Sequence, residues 1–451
     1  MKLIKKTIKE ALKTPGFSLL YIAGVAFTVA FTIIYGMLLY SQLGPVYPEY
    51  DRSSTVYAHT MVITEGYNRS SQAIGRKFIE EFLRDKLKST DGMTAILSYN
   101  GDFPMVQTDG HGPDFHAEVR HVEPSFFKFY NYEFKAGKPF SQEDFDSSLH
   151  VADISERIAD RLFGSAEEAV GKDISIDHVN YRIRGVFREG SALNVDSYGE
   201  VFLPYSFRVG PNGYQDALRS YLGPLRVAFK VKPGKEAALR EELQDICRRI
   251  NAMDTTESNF YLPGISNHME HVLTDTNVEF DWDRERTDDE RFKIKGASSV
   301  AHMIKPFLIA LLVVLVIPAL NISGLIGARM DRMASELGVR RCFGANRRRL
   351  MGMVLSENLV LTLAGGIFGL IAAWLISVLA GNFLLQFTPL AYDSGMSFGS
   401  NASFITGETA FAPLLFLFSL AICLVLNLIS AWIPAHRALR SQITESLNSK
   451  R

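Results

Sequence analysis

Residues 336–380 read ELGVRRCFGANRRRLMGMVLSENLVLTLAGGIFGLIAAWLISVLA. The opening part of this stretch carries five arginines, while Leu359–Ala380 contains no Lys, Arg, Asp or Glu. An apolar run of that length suits a helix crossing a bilayer, whose hydrocarbon core of roughly 30 Å takes about 20 residues. Phe17–Leu39, Phe307–Ile326 and Phe411–Ile433 share the property. Core helices of soluble domains are usually shorter, so four such runs in one chain predict four transmembrane helices.

The chain of 451 residues has a formal net charge of -1, so the arginines reflect segregation rather than excess. Lys2, Lys5, Lys6, Lys9 and Lys13 precede the first run; Arg329, Arg332, Arg340, Arg341 and Arg347–Arg349 lie between the second and third; Arg437, Arg440, Lys450 and Arg451 follow the fourth. The segment 381–410 has no Lys or Arg. The positive-inside rule then places both termini and the Arg-rich loop in the cytoplasm, with the long segment after the first run on the far side. The basic start and apolar run resemble a signal peptide, but the run is too long and no A-x-A site follows, so an uncleaved span is expected. Leu3, Ile4, Ile8, Ala11 and Leu12 recur at helical spacing among the lysines, which predicts an amphipathic helix on the inner membrane surface.

The organisation expected is an N-terminal helix (1–16), a first span (17–40), an extracytoplasmic domain (41–302), a second span (306–328), a cytoplasmic loop (329–352), a third span (353–380), an outer loop (381–410), a fourth span (411–433) and a cytoplasmic tail (434–451). Within the outer domain, TVYAHTMVIT (55–64) reads as strand and KFIEEFLRDKLK (77–88) as helix. LRVAFKVK, PGKE and AALREELQDICRRIN (225–251) repeat strand, turn and amphipathic helix. Two such units, 54–102 and 224–280, predict a split α/β, porter-like subdomain whose halves meet in space. The insertion 103–223 reads as mostly β: Ile174, Ile176, Tyr181, Ile183 and Val186 mark strands about a turn at Asp177–Asn180. Ile154–Phe163 reads as a short helix stopped by Gly164. The charged stretch 281–305 is expected to form a helical stalk leading into the second span. The fold class is thus an α-helical membrane protein with a large α+β extracytoplasmic domain.

Little in the chain points to catalysis. It has no G-x-x-x-x-G-K-[ST] loop, so ATP binding by the usual phosphate cradle is excluded for this sequence. His268, Glu270 and His271 lie in NHMEHVLTD, near Asp275, but their spacing is not that of H-E-x-x-H, and a solvated or structural cluster is the expectation. Ser155 lacks a G-x-S-x-G context. Cys247, Cys342 and Cys423 are expected outside, inside and within the membrane, so no intrachain disulfide is expected. Catalytic, cofactor and metal sites are therefore all expected to be absent. Gly365 and Gly369 suit a close-packed helix face, serving either packing within the chain or a dimer seam.

HVEPSFFKFYNYEFKAGKPFSQED (121–144) and ISERIADRLFGSAEEAVGKDISIDHVNYRIRGVFRE (154–189) resemble the periplasmic core domain of MacB-like permeases. The residues that carry this are Gly137, Lys138, Phe140, Ser155, Glu156, Ala159, Leu162, Phe163, Gly164, Gly171 and Lys172. Glu336, Leu337, Gly338, Val339, Arg340, Arg341, Gly344 and Ala345 resemble the hallmark of the FtsX-like permease segment. Pro434, Ala435, Arg437, Ala438, Glu445 and Leu447 resemble that segment's closing motif, with Gln442 where proline is usual and Ser446 where alanine is.

The resemblance implies the permease subunit of an ABC transporter of the mechanotransmission type. ATP and Mg belong to a separate cytoplasmic ATPase. The eight residues Glu336–Arg341, Gly344 and Ala345 form the contact with that ATPase, and Pro434, Arg437, Glu445 and Leu447 belong to the tail. Implied partners are the ATPase, a second permease subunit (identical or related), membrane lipid, and a periplasmic adaptor with an outer-membrane channel; nucleic acid is not among them. The implied location is the inner membrane. The implied work is export or extraction of a peptide, antibiotic or lipoprotein-like substrate; the alternative is FtsX-like signalling to an envelope enzyme such as a cell-wall hydrolase.

Overall fold

The structure, a computed structural model, describes residues 15–65, 68–98, 105–107, 115–194, 196–209, 221–253, 258–263, 265–273, 278–280, 292–294 and 346–385, with isolated positions between 305 and 343 and between 417 and 436. It divides into two bodies: residues 1–38, 305–381 and 409–451, and residues 39–304 with 382–408. The expected N-terminal amphipathic helix and most of the second and fourth spans lie outside the described residues.

In the first body, two helices are long and apolar enough to cross a membrane, Pro15–Leu43 and Leu350–Ala380, the latter within the longer helix Arg347–Leu385. They coincide with the first and third expected spans. The first is apolar on every side, so amphipathicity cannot choose its buried face. Tyr21, Val25, Val29, Ile33 and Met37 recur every fourth residue and are all buried, whereas Leu19, Leu20, Phe27 and Phe31 are exposed. Shape selects between the faces. A Cβ on Gly365 would lie 2.7 Å from the Val25 Cβ, and one on Gly369 would lie 2.7 Å from the Ala26 carbonyl. The glycines thus let two backbones approach within the chain, which resolves the choice left open by the sequence. Tyr21 Oη and Thr362 Oγ1 add a hydrogen bond of 3.0 Å across the same seam. Ile326 and Cys423, from the second and fourth runs, join this buried cluster.

In the second body, the strand Leu225–Val231 pairs antiparallel with both Thr55–Ala58 and Thr90–Leu97. The two halves separated by the insertion therefore share one sheet. TVYAHTMVIT is two strands, Thr55–Ala58 and Met61–Glu65, broken at His59 and Thr60. The helix Glu236–Met253 buries Leu239, Leu243, Ile246, Cys247 and Ile250, the stripe its periodicity requires.

The insertion combines strands with short helices. Its strands include Val151–Ser155, parallel to Val179–Phe187, which in turn pairs antiparallel with Asp173–Ile176. Asp177 and His178, at φ 46° and 66°, make the left-handed two-residue turn that joins the last pair. Short helices are interleaved at Ser125–Phe129, Gln142–Asp146, Glu156–Phe163 and Ala166–Ala169. Three of them carry their own start signal: the side chains of Ser141, Ser155 and Ser165 accept from Asp144 N, Ile158 N and Glu168 N. Such local caps let segments of four to eight residues turn helical inside a β-rich sequence. Gly164 ends the Glu156–Phe163 helix at φ 89°, as expected.

The stalk reading also needs correction. Phe292–Ile294 is a strand, antiparallel to Val278–Phe280, with Glu279 opposite Lys293. An apolar–charged–apolar alternation on both sides, with opposite charges in register, favours pairing over a helix there. The remaining stalk residues, 281–291 and 295–304, are outside the described set.

Candidate functional site

Of the eight loop residues singled out by sequence, Val339 alone is described. It is helical and 46% exposed. Its carbonyl accepts from Phe343 N at 3.2 Å, and the Phe343 ring is 89% exposed. Asn346 then starts the Arg347–Leu385 helix, its side chain accepting from Arg348 N at 3.4 Å. Glu336, Leu337, Gly338, Arg340, Arg341, Gly344 and Ala345 lie outside the described residues, as do Pro434, Arg437, Glu445 and Leu447.

Among the described residues, the densest polar site is one that no sequence motif marks. It lies where the Pro15–Leu43 helix ends, within the second body. A helix leaves its last carbonyls without intrahelical partners. Here Arg52 Nη1 donates to Ser41 O (2.8 Å) and Gly44 O (2.6 Å), and His268 Nε2 lies 2.9 Å from Gln42 O. Arg52 also donates from Nε to Glu49 Oε2 (2.7 Å) and from Nη2 to Asn194 Oδ1 (2.7 Å). Asn194 Nδ2 donates back to Tyr47 O, and Ser197 Oγ donates to Glu49. Arg52 is only 4% exposed, so its charge is compensated by Glu49 and by carbonyl dipoles rather than by water.

A second cluster adjoins it through His268. Tyr57 Oη lies 3.4 Å from His268 Nδ1, and His59 and His271 stack with centroids 4.4 Å apart. His271 Nε2 lies 2.5 Å from Asp196 Oδ2, and Arg226 is 3.8 Å from the same carboxylate. Burial holds the His268 imidazole neutral, its pKa pushed down to about 4 despite Glu49 nearby. Burial, with His271 and Arg226 adding to it, holds His59 well below its usual value. Burial would raise the Asp196 carboxyl, but His271, His59 and Arg226 outweigh it and hold the group well below the usual range. Glu49 is likewise held down by Arg52, His268 and Ser197 against the effect of burial.

The NHMEHV histidines are therefore structural and buried, not solvated: His268 and His271 are each 7% exposed. Among the described residues no group of three or more His, Cys, Asp and Glu is placed to hold a metal. The arrangement binds backbone to backbone and offers no water-accessible nucleophile. Sequence reading missed Arg52, Glu49, Asn194 and Asp196. One signal was present: Arg52 is the first cation after the first span, on the side where the positive-inside rule disfavours cations.

Residues 18–246 match the model of the MacB-like periplasmic core domain, and residues 308–443 match that of the FtsX-like permease C-terminal domain. The chain belongs to this permease family. The pyoverdine export ATP-binding/permease protein PvdT of Pseudomonas syringae is 23% identical over 268 residues, covering 58% of this chain and 36% of that protein. The ABC transporter permease YknZ of Bacillus subtilis is 20% identical over 301 residues, covering 65% of this chain and 66% of YknZ. The macrolide export ATP-binding/permease protein MacB of Bdellovibrio bacteriovorus is 23% identical over 336 residues, covering 70% and 45%. The chain thus spans from about a third to two thirds of the length of these curated relatives. Among solved structures, the periplasmic region of MacB from Actinobacillus actinomycetemcomitans aligns at 17% identity and a TM-score of 0.31, over 47% of this chain and 89% of that one. This MacB/FtsX permease is accordingly an ABC transporter permease with a periplasmic domain, and the family is of the inner membrane.

The family motif acquires a structural reason in the periplasmic domain. Gly137 sits at φ 68° opposite Gly185, where any Cβ would strike the Arg184 carbonyl. Phe140, three residues on, is buried, and its amide donates to Asp153 Oδ2 at 3.0 Å. These residues shape the turn rather than a binding site.

Proposed function

We propose that this permease couples ATP hydrolysis on a separate cytoplasmic ATPase to movement of its periplasmic domain, and that this movement exports or extracts a peptide, antibiotic or lipoprotein-like substrate. The observation that carries the reading is the continuity of the Pro15–Leu43 helix. It runs 29 residues, about 43 Å at 1.5 Å per residue, which exceeds the roughly 30 Å hydrocarbon core. The same helix can therefore cross the bilayer and end among the buried side chains of the periplasmic domain. The relatives named for export of pyoverdine and of macrolides support work on a periplasmic substrate. Two of them are named as ATP-binding/permease proteins, which supports work driven by ATP.

In this reading the Arg-rich loop lies in the cytoplasm with both termini, and Glu336–Ala345 is the ATPase contact. Two permease subunits face each other across the complex. The test is purification of the tagged full-length chain from its own membranes in mild detergent. An ABC ATPase is expected in stoichiometric amount with the native chain. Arg340→Glu/Arg341→Glu is expected to reduce its recovery at least tenfold while membrane insertion is unchanged. Undiminished recovery with the double reversal would remove the loop from the contact. Recovery of a cell-wall hydrolase instead of a transported substrate would favour the signalling alternative.

A further inference from the structure

We propose that Arg52 is a positioning residue that latches the last turn of the first helix, residues 39–43, into the periplasmic domain. This rests on the permease reading above, and it adds the residue that fixes the helix end within the periplasmic domain.

The sequence after the helix, Gly44-Pro45, is that of a swivel. Proline cannot continue the helix, and a glycine before it leaves the backbone free to rotate. The structure removes that freedom. Three carbonyls at the helix end, those of Ser41, Gln42 and Gly44, are held by Arg52 and His268. Gly44 itself has no room for a side chain, since a Cβ would meet the Tyr40 ring at 2.7 Å. Arg52 reaches Asn194, which is 142 positions away, and His268 reaches Gln42 across 226. Asn194 in turn fixes Tyr47, in the segment that follows the swivel. Segments remote in sequence thus close on the helix end through one guanidinium and one imidazole.

The chemistry makes the joint stiff. An apolar contact is non-directional and lets surfaces slide, whereas a buried guanidinium with four directed bonds has one geometry. Rotating the helix end would pull several bonds at once and strand Glu49 as a buried charge without its partner.

The test uses the full-length chain in lipid nanodiscs, its three cysteines replaced by alanine, with spin labels at Tyr40→Cys and Lys235→Cys. Tyr40 is 40% exposed near the helix end, and Lys235 is exposed in the domain. A single narrow distance distribution is expected. Arg52→Met/Glu49→Gln removes both charges, so folding is retained, but the grip on the carbonyls is lost. The distribution is expected to broaden at least twofold while the melting temperature stays near the parent value, an outcome that a purely stabilising role would not give. A distribution as narrow as the parent in the folded double variant would overturn the latch. Should that variant fail to fold, Asn194→Ala keeps the ion pair and cuts one leg: broadening supports the latch and an unchanged width overturns it. The readout needs no nucleotide. Failure of the native ATPase and ATP to move the domain would instead count against the permease reading and leave the latch standing.

Discussion

The first spanning helix is held by opposite chemistries along its length. Its lower part packs Tyr21, Val25 and Val29 against a helix face opened by Gly365 and Gly369, with one side-chain hydrogen bond at Thr362. Its last turn is gripped by Arg52 and His268 in a buried polar network. Lipid tails are as apolar as leucine, so helices associate there through close approach of backbones. At the helix end the carbonyls need partners, and the domain supplies them with charge. The first chemistry tolerates small adjustments of shape; the second has one arrangement or none.

Removing a single partner from the polar region should have the largest effect. Arg52→Ala leaves Glu49 buried without its cation and should cost about 3–5 kcal/mol of periplasmic-domain stability. Urea unfolding of the full-length chain in detergent, followed by near-UV circular dichroism, checks this. A loss below about 1 kcal/mol would mean that water already reaches the network.

The same network should respond to acid. His268 is neutral in the folded domain, with a pKa near 4 against an unfolded value of about 6.5. Unfolding therefore takes up a proton between these values, and the contribution is full above pH 6.5 and lost as pH falls toward 4. The shift corresponds to roughly 3 kcal/mol. His59 acts in the same direction, while the buried Asp153, Glu118 and Glu189, all raised chiefly by burial, act in the opposite one. The informative measurement is thus the difference between the native chain and His268→Gln at pH 7 and pH 4.5. Equal pH slopes for the two would show that His268 is solvated.

The apolar region should be more forgiving and graded by what each glycine faces. Gly369→Val opposes the Ala26 carbonyl, which cannot rotate away, and should cost about 1–3 kcal/mol. Gly366→Ala meets the flexible Leu420 side chain and should cost less. Thermal denaturation of the two variants in detergent orders them, and equal losses would break the contrast.

Much of this architecture was legible because it is local. Leu359–Ala380 declares a span by length alone, Leu239 to Ile250 a helix by period, and Ser155 with Gly164 the two ends of another. What was misread depends on distant partners. NHMEHV reads as solvated or structural, and only Tyr57, His59 and Asp196, closing over it, decide for structural. Arg52 belongs to no motif, and its role exists only because Asn194 and a helix end arrive beside it. Residues 281–305 look like one charged helix, yet Phe292–Ile294 finds a strand partner at Val278–Phe280.

The central claim is that ATP hydrolysis on the partner chain moves the periplasmic domain, with Arg52 holding the helix end that leads into it. The direct measurement is energy transfer between a donor at Lys235→Cys and acceptor lipids in nanodiscs holding the permease with its ATPase, with and without ATP. The native chain should show an ATP-dependent change in donor–membrane distance. Arg52→Met/Glu49→Gln should lose most of it while ATP turnover continues. An unchanged distance in the native complex during turnover, or an undiminished response in the folded double variant, would contradict the account.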